Sequence, residues 1–325
     1  MQAKYGFINK EQFFRKTKNR FGNTNKGKSG EVFDLVSDLS KKEKIQIFRT
    51  FWRKSSNQEF LQQLTQDAKK MNNKRKIDDY LLDLHDYKIA RPLIFALFCH
   101  YASAPQENKI GSAKFVYDCV KLLSSFVQRV THIGNFRPSV YEAKFADLAE
   151  IISDGSCTTS EQFFDYLKTY DNAGVIDDTD YIEQMGTRFY SQKSITKSGY
   201  ILRKIVEYQE KGVRIDNDQV SVEHILPRSN EHNSKNSWAS KFDQNDRDRF
   251  VHCLGNLTLI SKKDNSPKAK DNESFSAKKK IYAMSSYQLT KDICQHTEWT
   301  PKAVKHRQSK IAKIAAKQIW HFRLK

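Results

Sequence analysis

The sequence predicts a mostly helical protein with a small α+β part: a helical domain over residues 1–170, then a domain with two short strands over residues 171–325. Apolar residues recur at three- and four-residue spacing through Ile77–Leu84 and Phe115–Val130, as they do on one face of a helix. Pro92 opens a further apolar run, and proline is favoured in the first turn of a helix. These segments are expected to build the core of the first domain.

The α+β part is predicted from short apolar runs and the helix signals that follow them. Gln219–Leu226 and Asn256–Ile260 read as strands, since both are short, rich in apolar and β-branched residues and bounded by turn residues. Ser266-Pro267 is expected to open a helix that runs through Tyr282, and Thr300-Pro301 carries the N-cap and proline of a last helix. The order is therefore strand, loop, strand, helix.

Composition and turn residues set the broad class and the domain boundary. The polar, Asp-rich stretch Ser153–Asp180 contains turn material, and the boundary is placed there. No run approaches the ~18 apolar residues of a membrane helix, and the N-terminus lacks the apolar region of a secretory signal. The five cysteines are scattered without a C-x-x-C pair, which favours a reducing cytoplasm over a disulfide framework or a structural zinc site.

The charge of the chain favours a polyanionic partner. The formal net charge of the chain is +18. Residues 261–325 contain sixteen Lys and Arg against five Asp and Glu, which gives this segment a net charge of +11. Phosphates that meet such a surface release counterions on binding. The alternative is a solvated surface in a lysine-rich protein.

One constellation of polar residues predicts a hydrolytic site. Glu223-His224 lies in the first strand, Asn256 opens the second, and Asn265 follows nine residues later. Histidine is suited to act as a general base near neutral pH, and carboxylate and amide oxygens are ligands for Mg²⁺ or Mn²⁺. We therefore assign His224 as the base, Glu223 and Asn265 as metal ligands, and Asn256 as the residue that bonds the backbone of the loop carrying His224. This order of elements and residues resembles the ββα-metal layout of HNH nucleases, which implies metal-assisted hydrolysis of a phosphodiester.

Other residues remain open as alternatives or supports. His232 and His252 could substitute as ligand or base, with solvent-facing histidines as the default interpretation. The expected phosphate contacts are Arg228, Lys268, Lys270, Lys278 and Lys279.

A phosphate-loop motif in the N-terminal region is interpreted differently. Gly22–Ser29 satisfies G-x-x-x-x-G-K-[ST], with Lys28 as its lysine. Such a loop should follow a buried apolar strand, whereas the preceding residues 14–20 are strongly basic. A basic loop is the better account, and an NTPase activity based on Lys28 is the lesser alternative.

Spaced blocks between Ser198 and Trp320 carry a family resemblance. The segment resembles the C-terminal HNH nuclease domain of GmrSD-type, modification-dependent (type IV) restriction endonucleases, and the helical first half resembles the region preceding that domain. The matching blocks are Val222–Pro227, Leu254–Leu259, Asn265-Ser266, Asn272-x-x-Phe275-x-x-Lys278 and Trp299-Thr300-Pro301 with Arg307 and Trp320. The Glu223-His224 pair and Asn265 are also similar to the Mg²⁺ site of the HNH domain in RNA-guided nucleases.

The resemblance implies an HNH endonuclease that nicks or cuts foreign or modified DNA in phage defence. It also implies an NTP-using N-terminal domain whose D-G-Q-Q-R-type motif is missing here. The chain is then expected to be the nuclease subunit of a split system or a C-terminal portion of a longer protein. The rival functions are a non-catalytic DNA-binding or sensing module and an RNA-directed nuclease.

Overall fold

The structure, a computed structural model, describes residues 62–68, 77–85, 87–133, 138–171, 174, 176–188, 195–210, 213–228, 238–262 and 274–323. The described residues divide into two compact units. The first comprises those up to Gln128 together with 138–171 and Arg323, and the second comprises 129–133 and the described residues from Gly174 to Phe322.

The first unit is built from helices. Residues 62–68 are helical. The helices that follow are α1 (Ile77–Leu84), α2 (Arg91–Ser103), α3 (Lys109–Ile133), α4 (Pro138–Ser153) and α5 (Ser160–Thr169), with 3-10 turns at Lys88–Ala90 and Gln106–Asn108. The last five residues of α3, from Arg129 on, belong to the second unit. The predicted helices at Ile77–Leu84 and Phe115–Val130 are confirmed, and Pro92 lies in the first turn of α2. α2 packs against α4, and Phe126 of α3 meets Tyr141 of α4 edge to face. The sequence also predicts a helix around Phe48–Trp52 from aromatic residues at three- and four-residue spacing, and this segment lies outside the described residues.

α5 is an ordered helix within the stretch that the sequence marks as boundary material. Thr159 is its N-cap, and the Thr159 and Gln162 side chains form a reciprocal capping box with the backbone. Phe163 and Leu167 are buried. The polar composition of the stretch therefore reflects a capped, one-sided helix rather than turns alone.

The second unit combines helices with a two-stranded sheet. In chain order its elements are α6 (Asp178–Thr187), α7 (Ile195–Gln209), β1 (Val220–His224), α8 (Gln244–Phe250), β2 (Leu257–Ser261), α9 (Phe275–Ala283), α10 (Gln288–Lys291) and α11 (Pro301–Ile314), with 3-10 turns at Asn217–Gln219, Leu254–Asn256 and Asp292–Gln295. The strands pair antiparallel in the register Val220 with Ser261 through His224 with Leu257. Both predicted strands are confirmed within one or two residues of their ends.

The helices of this unit cover the sheet and its connecting turn. α7 packs on both strands, and α11 packs against α6 and the Leu254–Asn256 turn. α9 follows β2, but it begins at Phe275, where the Ser274 side chain accepts a hydrogen bond from Ala277 N. The expected start at Ser266-Pro267 lies outside the described residues.

The last helix, α11, begins as predicted and is followed by a π-helical segment. Thr300 caps α11 and Pro301 occupies its first turn. A π-helical segment, Ala315–Ile319, follows. Arg129, in the last turn of α3, donates to the carbonyls of Ala316 and Trp320 at 3.0 and 2.8 Å, so these carbonyls remain satisfied where the helix opens. Among the helices described, none has the length and apolar character needed to cross a membrane.

Candidate active site

β1 presents Glu223 and His224 on opposite faces. Consecutive strand residues point to opposite sides of a sheet, and the register pairs Glu223 with Thr258 and His224 with Leu257. Both are the final residues of the strand, and each is 8% exposed. The two side chains therefore meet different neighbours while they stay at the same end of the strand.

The carboxylate of Glu223 is held by α9. Lys278 Nζ donates to Glu223 Oε1 at 2.6 Å, and the Tyr282 hydroxyl donates to the same oxygen at 3.1 Å. Burial, then the charge of Glu223, raises the pKa of Tyr282 well above its usual value, so the phenol stays a donor. Oε2 has no partner among the described residues and is not one of their buried unpaired polar atoms. It is therefore the oxygen left open to solvent.

Lys278 is expected to contact phosphate, but the structure buries its side chain against Glu223. Its side chain is 3% exposed, and Nζ also donates to the carbonyl of His224 at 2.7 Å. A buried ammonium requires a counter-charge and acceptors, and Glu223 and this carbonyl supply them. In this arrangement Lys278 braces the end of β1 and does not reach the surface.

His252 meets the imidazole of His224. His224 Nε2 and His252 Nδ1 lie 3.1 Å apart, with the rings nearly perpendicular at 84°. Burial, followed by electrostatic repulsion from His252 and then from the charges of Arg228 and Lys278, lowers the pKa of His224 to about 3. Burial and then Arg228 lower the pKa of His252. The pair is thus neutral near pH 7, and a single N–H joins the two rings.

The other nitrogen of His224 is the one available for chemistry. Nδ1 makes no hydrogen bond within the described chain and is not among its buried unpaired polar atoms. It therefore reaches solvent. Glu223 and His224 are thus arranged alike. Glu223 Oε1 and His224 Nε2 are hydrogen-bonded within the protein, and Glu223 Oε2 and His224 Nδ1 are left open.

Asn256 pins the segment that follows His224. Its Oδ1 accepts from Leu226 N at 2.8 Å and from Trp299 Nε1 at 3.0 Å. Its Nδ2 donates to the carbonyls of Leu226 and Val251 at 3.1 and 2.9 Å. All four hydrogen-bonding positions of the amide are used, and the residue is 0% exposed. The loop after β1 is therefore locked to the turn before β2.

α11 clamps that turn from the other side. Gln308 Oε1 accepts from Gly255 N at 2.5 Å, and Arg307 Nη1 donates to the carbonyls of Gly255 and Leu257 at 2.9 and 2.6 Å. A Cβ on Gly255 would lie 2.2 Å from the carbonyl oxygen of Val304. Burial lowers the pKa of Arg307 to about 10, which leaves it charged at neutral pH. Reasoning from residue chemistry did not assign these contacts, although the family blocks include Gly255 and Arg307.

The remaining predicted residues divide by position. Asn265, Lys268, Lys270, His232 and the Gly22–Ser29 motif lie outside the described residues. Arg228 is exposed beside the histidine pair, whose pKa values its charge lowers. Lys279 is half-buried and donates to the carbonyl of His296 at 2.9 Å. The described part of the chain thus brings together Glu223, His224, Asn256, Arg228 and Lys278.

The donors at this site fit a hard cation in part. Glu223 offers a carboxylate oxygen, Oε2, that is not engaged by Lys278, and a carboxylate has capacity beyond the two bonds made at Oε1. The predicted second ligand, Asn265, is not in a described segment. No cluster of three or more His, Cys, Asp or Glu side chains suited to a metal occurs in the portion of the chain that is described. A metal here would therefore depend on Glu223 together with amide, backbone or water oxygens.

Comparison with known protein families gives a match in this part of the chain. Residues 175–314 match the family model for the C-terminal domain of GmrSD restriction endonucleases. The match includes β1, β2, α9 and α11, and so every side chain of the site just described. No curated protein sequence matches the chain.

Proposed function

Because residues 175–314 match the family model for the C-terminal domain of GmrSD restriction endonucleases, we propose that this protein is a metal-dependent DNA endonuclease of the HNH type. It would nick or cut foreign or modified DNA in phage defence. The observation that carries the proposal is the end of β1, where Glu223 Oε2 and His224 Nδ1 are both open while their companion atoms are held.

His224 is the general base in this mechanism. Its lowered pKa keeps the imidazole neutral at pH 7, so that Nδ1 can take the proton of the attacking water. His252 faces Nε2 and fixes the orientation of the ring. A phosphodiester bound beside the pair adds negative charge, which favours the imidazolium that forms.

Glu223 and Asn265 are the residues proposed to hold Mg²⁺ or Mn²⁺. When bound, the ion would polarise the phosphate and stabilise charge on the leaving oxygen. Lys278 and Tyr282 orient the carboxylate through Oε1. Asn256 keeps the loop after His224 at a fixed distance from the strand that leads to Asn265.

The stoichiometry of cutting follows from the single site. One such centre cleaves one strand at a time, so a double-strand cut needs two copies or two successive nicks. The NTP-using partner implied by the family is also part of this proposal.

The test is nicking of supercoiled plasmid by the purified chain with Mg²⁺ or Mn²⁺, beside an EDTA control. We expect His224→Ala to lower the nicking rate by about 10²–10⁴-fold, the usual contribution of a general base, while DNA binding is retained. His85→Ala is the matched control, because His85 is exposed and lies in the first unit. It should nick like the wild type.

Other outcomes separate the rival functions. A wild type that binds plain and modified DNA but cuts neither, with either ion, would favour a sensing module. Cleavage of RNA in preference to DNA would favour the RNA-directed alternative. Equal rates for His224→Ala and wild type would remove His224 from the mechanism.

A further inference from the structure

The exposed side of α11 carries a stripe of lysines that the active site does not use. At 100° per residue, Lys302, Lys305, Lys310 and Lys313 fall within an arc of about 140°, and all four are exposed. Lys317, in the π-helical segment, is exposed as well. One acid pairs with this group among the described residues: Asp292 lies 3.5 Å from Lys310. We call these five lysines the α11 stripe.

The opposite side of α11 is bonded to the Leu254–Asn256 turn that precedes β2. Arg307 and Gln308 are buried and grip the backbone around Gly255. Gln308 Nε2 also donates to the carbonyl of Met185 at 3.0 Å. The helix therefore cannot shift without moving the turn that positions Asn256. Anything bound to the stripe is held at a fixed distance from His224.

Basic residues connect the N-terminal end of the stripe with the histidine pair. Lys305 Nζ and Arg249 Cζ each lie 5.4 Å from the centre of the Phe250 ring. His252 follows two residues later and contacts His224. Arg228 is exposed beside both histidines. Positive charge thus runs from α11 to the open nitrogen of the general base.

The length and charge of this surface suit one partner. The stripe runs over sixteen residues, from Lys302 to Lys317, or about 22 Å at a rise of 1.5 Å per residue. Duplex DNA presents a negative charge every ~1.7 Å along its axis. We propose that the α11 stripe is a docking surface for the phosphate backbone of double-stranded DNA, which it sets in register with His224. This inference rests on the proposed function and adds the surface that holds the substrate.

The test compares two triple variants of the full chain with equal changes in charge. K302Q/K313Q/K317Q removes exposed stripe lysines that form no ion pair with a described residue. K88Q/K114Q/K168Q removes exposed lysines of the first unit. Binding to a short fluorescein-labelled DNA duplex is measured in EDTA by anisotropy across a series of salt concentrations. Each lost phosphate contact reduces the slope of log K against log[salt] by about 0.9. The stripe variant should therefore lose between roughly 1 and 2.7 of slope, and the control variant should retain the wild-type slope.

The outcomes separate a failure of the α11 stripe as a docking surface from a failure of the proposed nuclease function. Equal slopes for all three proteins, or equal losses in the two variants, would overturn the docking surface even if the wild type nicks plasmid. A greater stripe-dependent slope on an RNA duplex of the same sequence would overturn the choice of DNA. A wild type that binds with the expected stripe dependence but never cleaves would count against the proposed function alone. Circular dichroism checks that both variants are folded.

Discussion

At the scale of single residues, the candidate site depends on the hydrogen bonds that fix the Glu223 and His224 side chains. Adjacent strand residues cannot share one set of supports. Glu223 is accordingly held by Lys278 and Tyr282, and His224 by His252. Each support restricts the motion of one end of a side chain and leaves the atom that is proposed to react in place. Preorganisation of this kind is what positions groups for catalysis.

The buried Glu223–Lys278 pair predicts a pattern of stability. Lys278→Met should lower the free energy of unfolding by about 3–5 kcal/mol, because it leaves the Glu223 carboxylate buried without its counter-charge. Glu223→Gln in the same chain removes the charge, so the double variant should recover most of the loss. Urea unfolding of the wild type, both single variants and the double variant gives the coupling energy.

Additive losses in that cycle would contradict the ion pair. A useful comparison is Lys241→Met, since the Lys241–Glu298 pair has a similar 2.6 Å separation but exposed side chains. Exposed pairs contribute about 0–1 kcal/mol. This variant should therefore change stability little.

Residue type and order select Glu223, His224 and Asn256 as candidate site residues, but they do not indicate the residues that support them. Lys278 is not indicated as a support, because thirteen residues of continuous helix after Asn265 would place it about 140° away around the axis. Its burial results from the start of α9 at Phe275 and from the register of β1. His252 has no local signal either, since only the fold brings it to His224.

At the scale of elements, Gly255 decides how closely α11 approaches the turn before β2. Gly255→Ala would place a Cβ 2.2 Å from a backbone oxygen of α11, which cannot move aside like a side chain. We expect a loss of about 1–3 kcal/mol through overpacking, together with slower nicking as Asn256 shifts. Thermal unfolding and plasmid nicking measure the two effects.

Gly186→Ala is the matched control for that substitution. Nothing lies within 4 Å of a Cβ at Gly186, which is in α6. Alanine there should be neutral or should stabilise by up to about 1 kcal/mol. If Gly255→Ala behaved in the same way, the close approach of α11 would not matter for stability.

The elements show where local sequence is informative. α11 is predicted because Thr300 and Pro301 mark its start, and their roles do not depend on distant residues. α5 is the contrary case, since its polar composition conceals the helix and only the Thr159–Gln162 capping spacing indicates it. The π turn after Ile314 could not be predicted, because it depends on Arg129 bonding to carbonyls that lie nearly two hundred positions along the chain.

At the scale of the whole molecule, buried charge and buried neutral histidine set the response to acid. Arg129 is 0% exposed and pairs with Asp178. Close by in the same unit, His132 is buried against the Trp320 ring, with Nδ1 2.8 Å from the Tyr181 hydroxyl. Such a histidine cannot take up a proton without losing its packing or acquiring an unpaired buried charge.

His132 therefore predicts a specific loss of stability at low pH. Burial, followed by the charges of Lys197 and Arg129, lowers its pKa to about 3 in the folded protein, against about 6.5 in an unfolded chain. Between these values the unfolded state binds a proton that the folded state does not, so stability is complete above about pH 6.5 and is lost as the pH falls toward 3. One such group contributes about 1.4 kcal/mol per pH unit inside this window.

His132→Phe keeps an aromatic ring against Trp320 but cannot titrate. Its free energy of unfolding, measured in urea between pH 6 and pH 4, should fall with acid less steeply than the wild type by about that slope. Since the comparison is between slopes, it holds even if the variant is less stable at every pH, and parallel curves would show that His132 is protonated in the folded protein as readily as in the unfolded chain.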